Sequence, residues 1–289
     1  MKKIVMPTTI DQIKQSINYC DAYLIGINNL SVNVSLCVDI DNLSEIKEIV
    51  GDRELFISLN KNMFNNDLDL LRSVMTKLND YNIKGVFYYD VGVLNIYNSI
   101  SANYDLVWAS NHASTNYNTI NYWYNMGVNY CLLSSDITVS DIFEIGKNTK
   151  SKLIVPIFGY QSMFNSRRHI VKNYLDFFSL KDDSCINYME KEDKVYPIID
   201  DDNGTTVYTN YILNGIYEYS NLDSMGFDYC LFNSFNIDDN KFMEVLKLAS
   251  NINCDNVINC FEKINSMFDN TDTGFFYKDT VTRVKKNEK

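Results

Sequence analysis

Two adjacent arginines, Arg167 and Arg168, are the side chains in this sequence best suited to bind an anion. A guanidinium group can pair with phosphate or carboxylate through two parallel hydrogen bonds, which an ammonium group cannot do. His169, Asn173 and Tyr174 follow closely. A strand-end loop that leads into a helix would also offer free backbone N–H groups. The sequence therefore predicts a phosphate or carboxylate site around Arg167, Arg168, Asn173 and Tyr174.

An internal role for the two arginines is the alternative interpretation. The acidic run Asp200–Asp202 lies downstream in a chain with a formal net charge of −11. Arg167 and Arg168 could pair with these aspartates and stabilise the fold without contacting a ligand. The sequence leaves both interpretations open.

A second set of candidate residues is neutral or weakly acidic and is expected at or just beyond the carboxyl ends of strands. Amide side chains in such positions can orient a small ligand, but they cannot act as general bases at neutral pH. Loop filling in an Asn-rich chain is the alternative explanation. The set comprises Asn60, Asn66, Asp90, Asn111, Thr115, Asn116 and Asp136.

Proteolytic chemistry has little support in the sequence. Neither the GxSxG nor the HExxH pattern is present, and the chain contains only two histidines, His112 and His169. A histidine-activated nucleophile would depend on one of these two meeting a serine or cysteine in the fold. We therefore expect no peptidase activity.

The seven cysteines are scattered, and none forms a CxxC pair. An odd number with wide spacing is not typical of a disulfide framework. We expect reduced and mostly buried thiols, with no cofactor bound by cysteine and no metal site.

Charge and hydropathy limit the partners. A net charge of −11 opposes a general attraction to nucleic acid, so we expect no DNA binding, and any RNA contact must use a local patch. No stretch approaches eighteen apolar residues, and the first residues turn polar early. We expect a cytoplasmic protein that does not bind membranes.

The elements that position these residues alternate between short β-branched or aromatic segments and longer helical patterns, as in repeated β-α units. Apolar residues at helical spacing, such as Leu71, Val74, Met75 and Leu78, indicate helices packed on a sheet. Thr138 and Asp141 have the spacing of a capping box. Eight strands predict an α/β, TIM-like (β/α)8 barrel, and we place them at about 3–7, 22–27, 54–60, 84–90, 105–110, 129–134, 152–158 and 228–233.

The regular alternation stops after Gly159. Residues of about 179–209 are charged and contain two strand-like segments around Asn203-Gly204, which is a strong hairpin signal. We expect a small β-hairpin insertion between the seventh and eighth units, and a C-terminal tail at 273–289 in which residues 276–284 could form a strand. With few Pro and Gly residues to make a linker, residues 1–289 are predicted to form a single barrel domain.

Three segments carry a resemblance to a known family: FGYQSMFNSRRHIVKNYL at 158–175, YPIIDDDNGT at 196–205 and TGFFYKDTVTRVKK at 273–286. Together they resemble the collagenase-like peptidase family (peptidase group U, number thirty-two), and most closely its short bacterial branch of tRNA hydroxylation proteins. Weaker likeness extends over nearly the whole chain. The resemblance implies a barrel fold and a role in tRNA 5-hydroxyuridine formation that depends on prephenate.

Several positions depart from the family pattern, and they lie where a barrel keeps its chemistry. The family's His-Gly after the seventh strand is Phe158-Gly159 here, and Ser162 and His169 stand at or near cysteine positions of the family. The sixth strand is followed by Ser135-Asp136 instead of Arg-Glu. At the eighth strand, the family pattern Lys-Ile-Asp/Glu-Gly is Leu231-Phe232-Asn233-Ser234 here. The Arg that the family has shortly after the second strand is also missing near Val32 and Asn33. Most of the ionisable residues expected in the site are therefore absent.

Three hypotheses follow from the resemblance and the departures. The protein could be an RNA-hydroxylating enzyme that holds a prephenate-like dicarboxylate on Arg167 or Arg168, with prephenate as co-substrate and tRNA as partner. It could instead be a cluster-free partner of a longer cysteine-bearing paralogue, or a non-catalytic interaction subunit, either of which predicts an exposed apolar patch. A peptidase would need a nucleophile beside a base.

Overall fold

Short strands alternate with helices through most of the chain in the computed structural model, which describes residues 1–182 and 184–278. The strands are β1 (Lys2–Met6), β2 (Ala22–Ile27), β3 (Cys37–Val38), β4 (Glu54–Ser58), β5 (Gly85–Tyr88), β6 (Asp105–Trp108), β7 (Tyr130–Leu132), β8 (Lys152–Gly159), β9 (Ser162–Ser166), β10 (Asn187–Lys191), β11 (Lys194–Asp201), β12 (Gly204–Tyr208), β13 (Ile212–Asn214), β14 (Tyr229–Asn233) and β15 (Thr271–Asp272). The helices are α1 (Ile10–Ser16), α2 (Leu43–Val50), α3 (Leu68–Leu78), α4 (Val91–Ser99), α5 (Tyr117–Asn125), α6 (Val139–Asn148), α7 (Ile170–Phe178), α8 (Tyr219–Ser224), α9 (Asp239–Ser250) and α10 (Val257–Met267).

Eight parallel strands close into a barrel in the order β1, β2, β4, β5, β6, β7, β8 and β14, and β14 pairs with both β8 and β1. These are the eight strands predicted from the sequence, so the (β/α)8 prediction is confirmed. Their carboxyl ends meet at one end of the barrel. Loops that follow different strands are thereby brought together there.

The barrel interior is filled by side chains from every second strand position. Phe56 lies at the centre, with its ring edge-to-face with Phe87 at 5.5 Å and with Tyr229 at 5.6 Å between ring centroids. A larger apolar layer lies between the strands and the surrounding helices. Because both faces are covered, β2 is buried along its whole length, as expected for a strand of a parallel sheet.

The predicted helices form where apolar residues recur at helical spacing. Leu71, Val74, Met75 and Leu78 are all buried on one side of α3. The capping box that opens α6 is also confirmed, since Thr138 Oγ1 accepts from the Asp141 N–H at 3.1 Å and the Asp141 carboxylate accepts from the Thr138 N–H. No helix in the described part of the chain has the length and apolar content needed to cross a bilayer.

A second, antiparallel sheet lies between β8 and β13, with the strand order β10-β11-β12-β9. Asp201 pairs with Gly204, so β11 and β12 are joined by a two-residue turn at Asp202-Asn203. The sheet includes β9 and therefore begins at Ser162, earlier than the boundary of about 179 expected from the sequence. We call β9–β12 and α7 the insertion. The Asn203 side chain donates to the Ser31 carbonyl at 3.1 Å and so ties the insertion to the barrel.

The described part of the tail packs on the barrel through a glycine turn. Gly274 has a φ of +60°, its N–H donates to the Asp272 carboxylate at 2.7 Å, and the Phe276 side chain is buried. The Val139 N–H donates to the Phe276 carbonyl at 3.0 Å. The strand suggested for 276–284 is not formed at 276–278, which belong to this turn. Positions 279–284 lie outside the described residues.

We predict that Gly274→Val lowers the free energy of unfolding by about 1–3 kcal/mol, the range for a residue held in a disfavoured backbone region. An added Cβ would also lie 3.2 Å from Leu213 Cδ1. Gly127→Val is the matched control, because Gly127 has a φ of +88° but no neighbouring atom within 4 Å of its Cβ position. Thermal unfolding should show the larger loss for Gly274→Val. A loss no larger than that of the control would mean that the tail turn is not packed on the barrel.

Candidate functional site

The carboxyl ends of the barrel strands surround a small cavity of about 80 Å³, which we call the mouth. The inner wall is apolar, and the outer wall is made of amides and hydroxyls. The lining residues are Met6, Leu24, Asn33, Val34, Ser58, Asn60, Phe87, Ala109, Asn111, Leu132, Leu133, Ser135, Pro156, Phe158, Tyr160, Gln161, Ser162, Tyr208, Leu231 and Asn233. Asn60 and Asn111, two of the predicted candidates, therefore lie together in the mouth.

Asn60 holds the loop that follows β2 over the mouth. Its Oδ1 accepts from the Val32 N–H at 2.9 Å, and its Nδ2 donates to the Val32 carbonyl at 3.0 Å. Both ends of this amide are thus used within the protein. Asn60 positions the loop that carries Asn33, and one Nδ2 hydrogen and one Oδ1 lone pair are left over from these two bonds.

Asn33 and Asn111 join the barrel to the insertion. Asn33 Oδ1 accepts from Thr206 Oγ1 at 2.6 Å and from Asn165 Nδ2 at 3.3 Å. Asn111 Nδ2 donates to Ser162 Oγ at 2.7 Å. The insertion therefore forms one wall of the mouth.

A groove of about 260 Å³ continues from the mouth along β9. It shares Asn33, Asn60, Asn111 and Ser162 with the mouth, and His112 also lines it. The His112 ring lies 3.2 Å from the Asp136 carboxylate, and both side chains are substantially exposed. An exposed pair of this kind gains little from its charge interaction.

The other strand-end candidates have local roles or lie outside the mouth lining. Asp90 caps α4 by accepting from the Gly92 N–H at 2.8 Å, and it also accepts from the Met63 N–H. Asn116 caps α5 by accepting from the Thr119 N–H at 3.0 Å. Asn66, Thr115 and Asp136 are likewise not part of the mouth lining.

The loop between β9 and α7 places Arg167 and Arg168 at the surface, just after the β9 residues that line the groove, and both are exposed. The Arg167 guanidinium stacks on the Phe64 ring at 3.8 Å from its centroid. Within the described residues, no acidic group lies at ion-pairing distance from either arginine. Asp200 instead accepts from the Lys172 N–H at 3.0 Å and pairs with His169 Nδ1 at 2.8 Å. The alternative in which the arginines pair with Asp200–Asp202 therefore does not describe this structure.

Asn173 and Tyr174 lie on α7, away from the mouth lining, and both are exposed. The helix has no buried residue, although Ile170, Tyr174, Phe177 and Phe178 recur at helical spacing on one side. Phe177 is 81% exposed. Because a helix with so much apolar surface is normally covered, this side of α7, the α7 patch, is an unusual feature of the fold.

The mouth contains no side chain suited to proton transfer at neutral pH. Within the described residues, its lining includes no Asp, Glu, Lys, Arg or His. Burial raises the pKa of the nearby Cys37 thiol to about 11 and that of Cys131 to about 12, so neither is a thiolate at neutral pH. Ser162 has an amide as its neighbour, with no base in contact. The described residues also contain no group of three or more His, Cys, Asp or Glu side chains arranged to hold a metal ion.

Several mouth residues were not among the predicted candidates: Asn33, Tyr160, Gln161, Ser162, Tyr208 and Asn233. Ser162, Asn33 and residues 231–234 do stand where the family pattern has other side chains. The family pattern therefore indicates that these positions belong to the site. The residue types found here, without the family pattern, would not indicate it.

Comparison with known proteins shows similarity to a full-length relative. The chain is 26% identical over 313 residues to tRNA hydroxylation protein P2 of Bacillus subtilis, across 97% of this chain and 100% of that protein. Among solved structures it is similar to a putative dihydrodipicolinate synthase family protein from Coccidioides immitis, with a TM-score of 0.49, 10% identity and coverage of 91% of this chain and 76% of that one. N-acetylneuraminate lyase from Fusobacterium nucleatum has a TM-score of 0.47 and 10% identity, with 92% and 82% covered. These two structural likenesses carry no functional argument.

Residues 9–251 match the model of peptidase family U32. This range begins just before α1 and includes every barrel strand from β2 to β14, together with the whole insertion. Because the match covers most of the chain, the protein belongs to peptidase family U32.

Proposed function

We propose that this protein is a tRNA modification factor that supports prephenate-dependent 5-hydroxyuridine formation at the wobble position. In this proposal it acts as the cluster-free partner of a longer, cysteine-bearing paralogue. The observation that carries the partner role is the uncharged lining of the mouth. The tRNA pathway is suggested by the full-length similarity to tRNA hydroxylation protein P2.

The uncharged mouth favours a binding role over a catalytic one. Proton transfer needs a group whose pKa lies near the working pH, and the mouth offers amides, hydroxyls and apolar side chains. Prephenate carries two carboxylates, and burying them without a cation would be costly. We therefore assign prephenate and the oxidation chemistry to the paralogue, and RNA binding to this chain.

A peptidase is less well supported by the same residues. Among the described residues, no histidine or carboxylate is hydrogen-bonded to the serines that line the mouth or to the nearby Cys37. Such contacts activate a serine or cysteine nucleophile. Family membership alone gives no argument for proteolysis, because one fold can host unrelated activities.

The α7 patch is the surface that we assign to the paralogue. Ile170, Tyr174, Phe177 and Phe178 are each 44% exposed or more. The Phe178 ring contacts the rings of Tyr174 and Phe177 on the same helix. Lys172 pairs with Asp176 on the same helix at 2.8 Å, so their charges cancel locally. A largely apolar centre with a balanced polar rim is typical of protein–protein interfaces.

The RNA contact is assigned to the exposed loop between β9 and α7. Arg168 has no acidic partner among the described residues, and the chain's strong negative charge elsewhere leaves few surfaces able to attract phosphate. Arg167 is partly engaged by Phe64. Arg168 is therefore the better phosphate ligand, and Arg167 orients the loop.

Deletion of the gene should remove 5-hydroxyuridine-derived nucleosides from tRNA in a host that makes them, as measured by mass spectrometry of digested tRNA. Plasmid expression of the wild-type protein should restore them. An unchanged nucleoside profile in the deletion strain would refute the proposed function.

Arg168→Ala should weaken tRNA binding by about 1.5–3 kcal/mol, the loss expected for a hydrogen bond to a charged group, and should reduce the dependence of affinity on salt. The melting temperature should not change, because the side chain is exposed. Arg72→Ala is the matched control, since Arg72 is an exposed arginine on α3 that donates to Ser99 at 2.8 Å. Equal effects of the two substitutions on tRNA affinity would remove Arg168 from the proposed contact.

Phe177→Asp should abolish copurification with the paralogue and leave the melting temperature unchanged, because the Phe177 side chain is 81% exposed. Ile258→Asp is the control, since Ile258 is a 53% exposed apolar residue on α10. Copurification that survives Phe177→Asp would place the partner surface elsewhere.

A further inference from the structure

Three side chains in the mouth lining, Ser58, Ser135 and Tyr208, carry a hydroxyl with no hydrogen bond to any described residue. Ser58 and Tyr208 are only 1% and 2% exposed. Ser58 accepts a hydrogen bond from Ser31 Oγ, but through its carbonyl oxygen. Tyr208 is fixed by stacking of its ring on Phe235 at 4.0 Å between centroids. Neither of these two hydroxyl oxygens is among the fully buried atoms that lack a partner in the described residues, so both hydroxyls face the open space of the mouth and can bond to a ligand there.

Free amide groups at the outer wall extend this set of hydrogen-bonding groups. The Oδ1 of Asn33 is fully used by Thr206 and Asn165, which leaves its Nδ2 as a donor. Asn111 uses its Nδ2 on Ser162, which leaves its Oδ1 as an acceptor. Donors and acceptors are therefore both available: Asn33 offers only donors, whereas Asn111 offers its oxygen and the second hydrogen of its Nδ2.

The inner wall and the size of the mouth limit the shape of the ligand. Met6, Leu24, Phe87, Pro156 and Leu231 provide an apolar surface below the polar groups. A cavity of about 80 Å³ is well below the roughly 300–1,000 Å³ of pockets for drug-sized molecules. The mouth therefore suits one small ring, and the adjoining groove of about 260 Å³ leaves a path for whatever is attached to it.

We infer that the mouth binds a single uncharged heterocyclic ring, a pyrimidine base extruded from a nucleic-acid strand, and excludes dicarboxylates. The flat faces of such a ring suit the apolar wall, and its edge pairs with Asn33, Asn111, Ser58 and Tyr208. A carboxylate would meet no cation there. The choice of a pyrimidine rests on the proposed function, whereas the preference for an uncharged ligand rests on the mouth alone.

Ligand-observed NMR on the purified full chain tests this inference with uridine, adenosine and prephenate as probes. Uridine should bind at least roughly tenfold more tightly than the other two, which corresponds to about 1.4 kcal/mol. Adenosine tests the size limit, and prephenate tests the exclusion of charge. Binding of prephenate as tight as that of uridine, or no uridine binding at all, would overturn the inference.

Two nearly isosteric variants locate the binding to the mouth. Tyr208→Phe removes one hydroxyl and keeps the stacked ring, and Asn33→Asp replaces the free donor with an acceptor while Asp can keep the left-handed backbone of residue 33, at φ +59°. Each should weaken uridine binding roughly three- to tenfold. Tyr97→Phe is the matched control, because the Tyr97 hydroxyl donates to the Tyr104 carbonyl at 2.7 Å, outside the mouth.

The outcomes separate this inference from the proposed function. Uridine binding that neither mouth variant weakens, in proteins with unchanged circular dichroism, would refute the mouth as the site. Uridine binding that depends on Tyr208 and Asn33, together with an unchanged tRNA nucleoside profile in the deletion strain, would support the inference and refute only the proposed tRNA pathway.

Discussion

The close approach of Gly159 to the Asn233 carbonyl determines where the chain leaves the barrel. Gly159 has a φ of +108°, and a Cβ built on it would lie 2.1 Å from the Asn233 oxygen, so only glycine fits. The turn ends β8 and directs β9 across the carboxyl ends of the strands. Asn233 also donates to the Tyr160 carbonyl at 2.9 Å, which holds the chain just after the turn. The position of the insertion, and with it one wall of the mouth, depends on this contact.

Charged groups are distributed unequally between the two ends of the barrel. At the amino ends of the strands, Lys2 pairs with Glu54 at 2.7 Å and Lys84 pairs with Asp105 at 2.9 Å. Tyr229 donates to the same Glu54 at 2.7 Å. The carboxyl ends have an uncharged lining. In barrels of this kind the amino end contributes stability and the carboxyl end carries the site, so the ligand site that we propose would select by shape and hydrogen bonding instead of charge.

The barrel could be predicted from sequence because each strand and helix has its own local periodicity, as Leu71, Val74 and Leu78 show for α3. The mouth could be predicted only in part. Asn60 and Asn111 come soon after β4 and β6, but Asp90 comes just as soon after β5 and caps a helix instead, as does Asn116 farther along the loop after β6. Their different roles depend on whether a helix begins at the next residue.

The remaining parts of the site depend on contacts between segments far apart in the chain. Asn33 reaches the mouth because Thr206 and Asn165 of the insertion bind its side chain. No local pattern around residue 33 encodes that contact. Similarly, the register of β11 places Asp200 beside His169 and the Lys172 N–H and away from the two arginines. A pairing suggested by charge alone could not anticipate that register.

The mouth and the α7 patch are connected through β9 and the loop that follows it. At one end, Ser162 and Asn165 of β9 hold the side chains of Asn111 and Asn33. At the other end of β9, Ser166 pairs with Thr205 of the neighbouring strand β12. The Thr205 hydroxyl accepts from the Ile170 N–H and donates to the Arg168 carbonyl, both at 2.8 Å, and so fixes the start of α7. A protein bound to α7 that shifted β9 would therefore change the free amide groups in the mouth. By thermodynamic linkage, a ligand that tightened those amide contacts would change the affinity for the protein partner by the same factor.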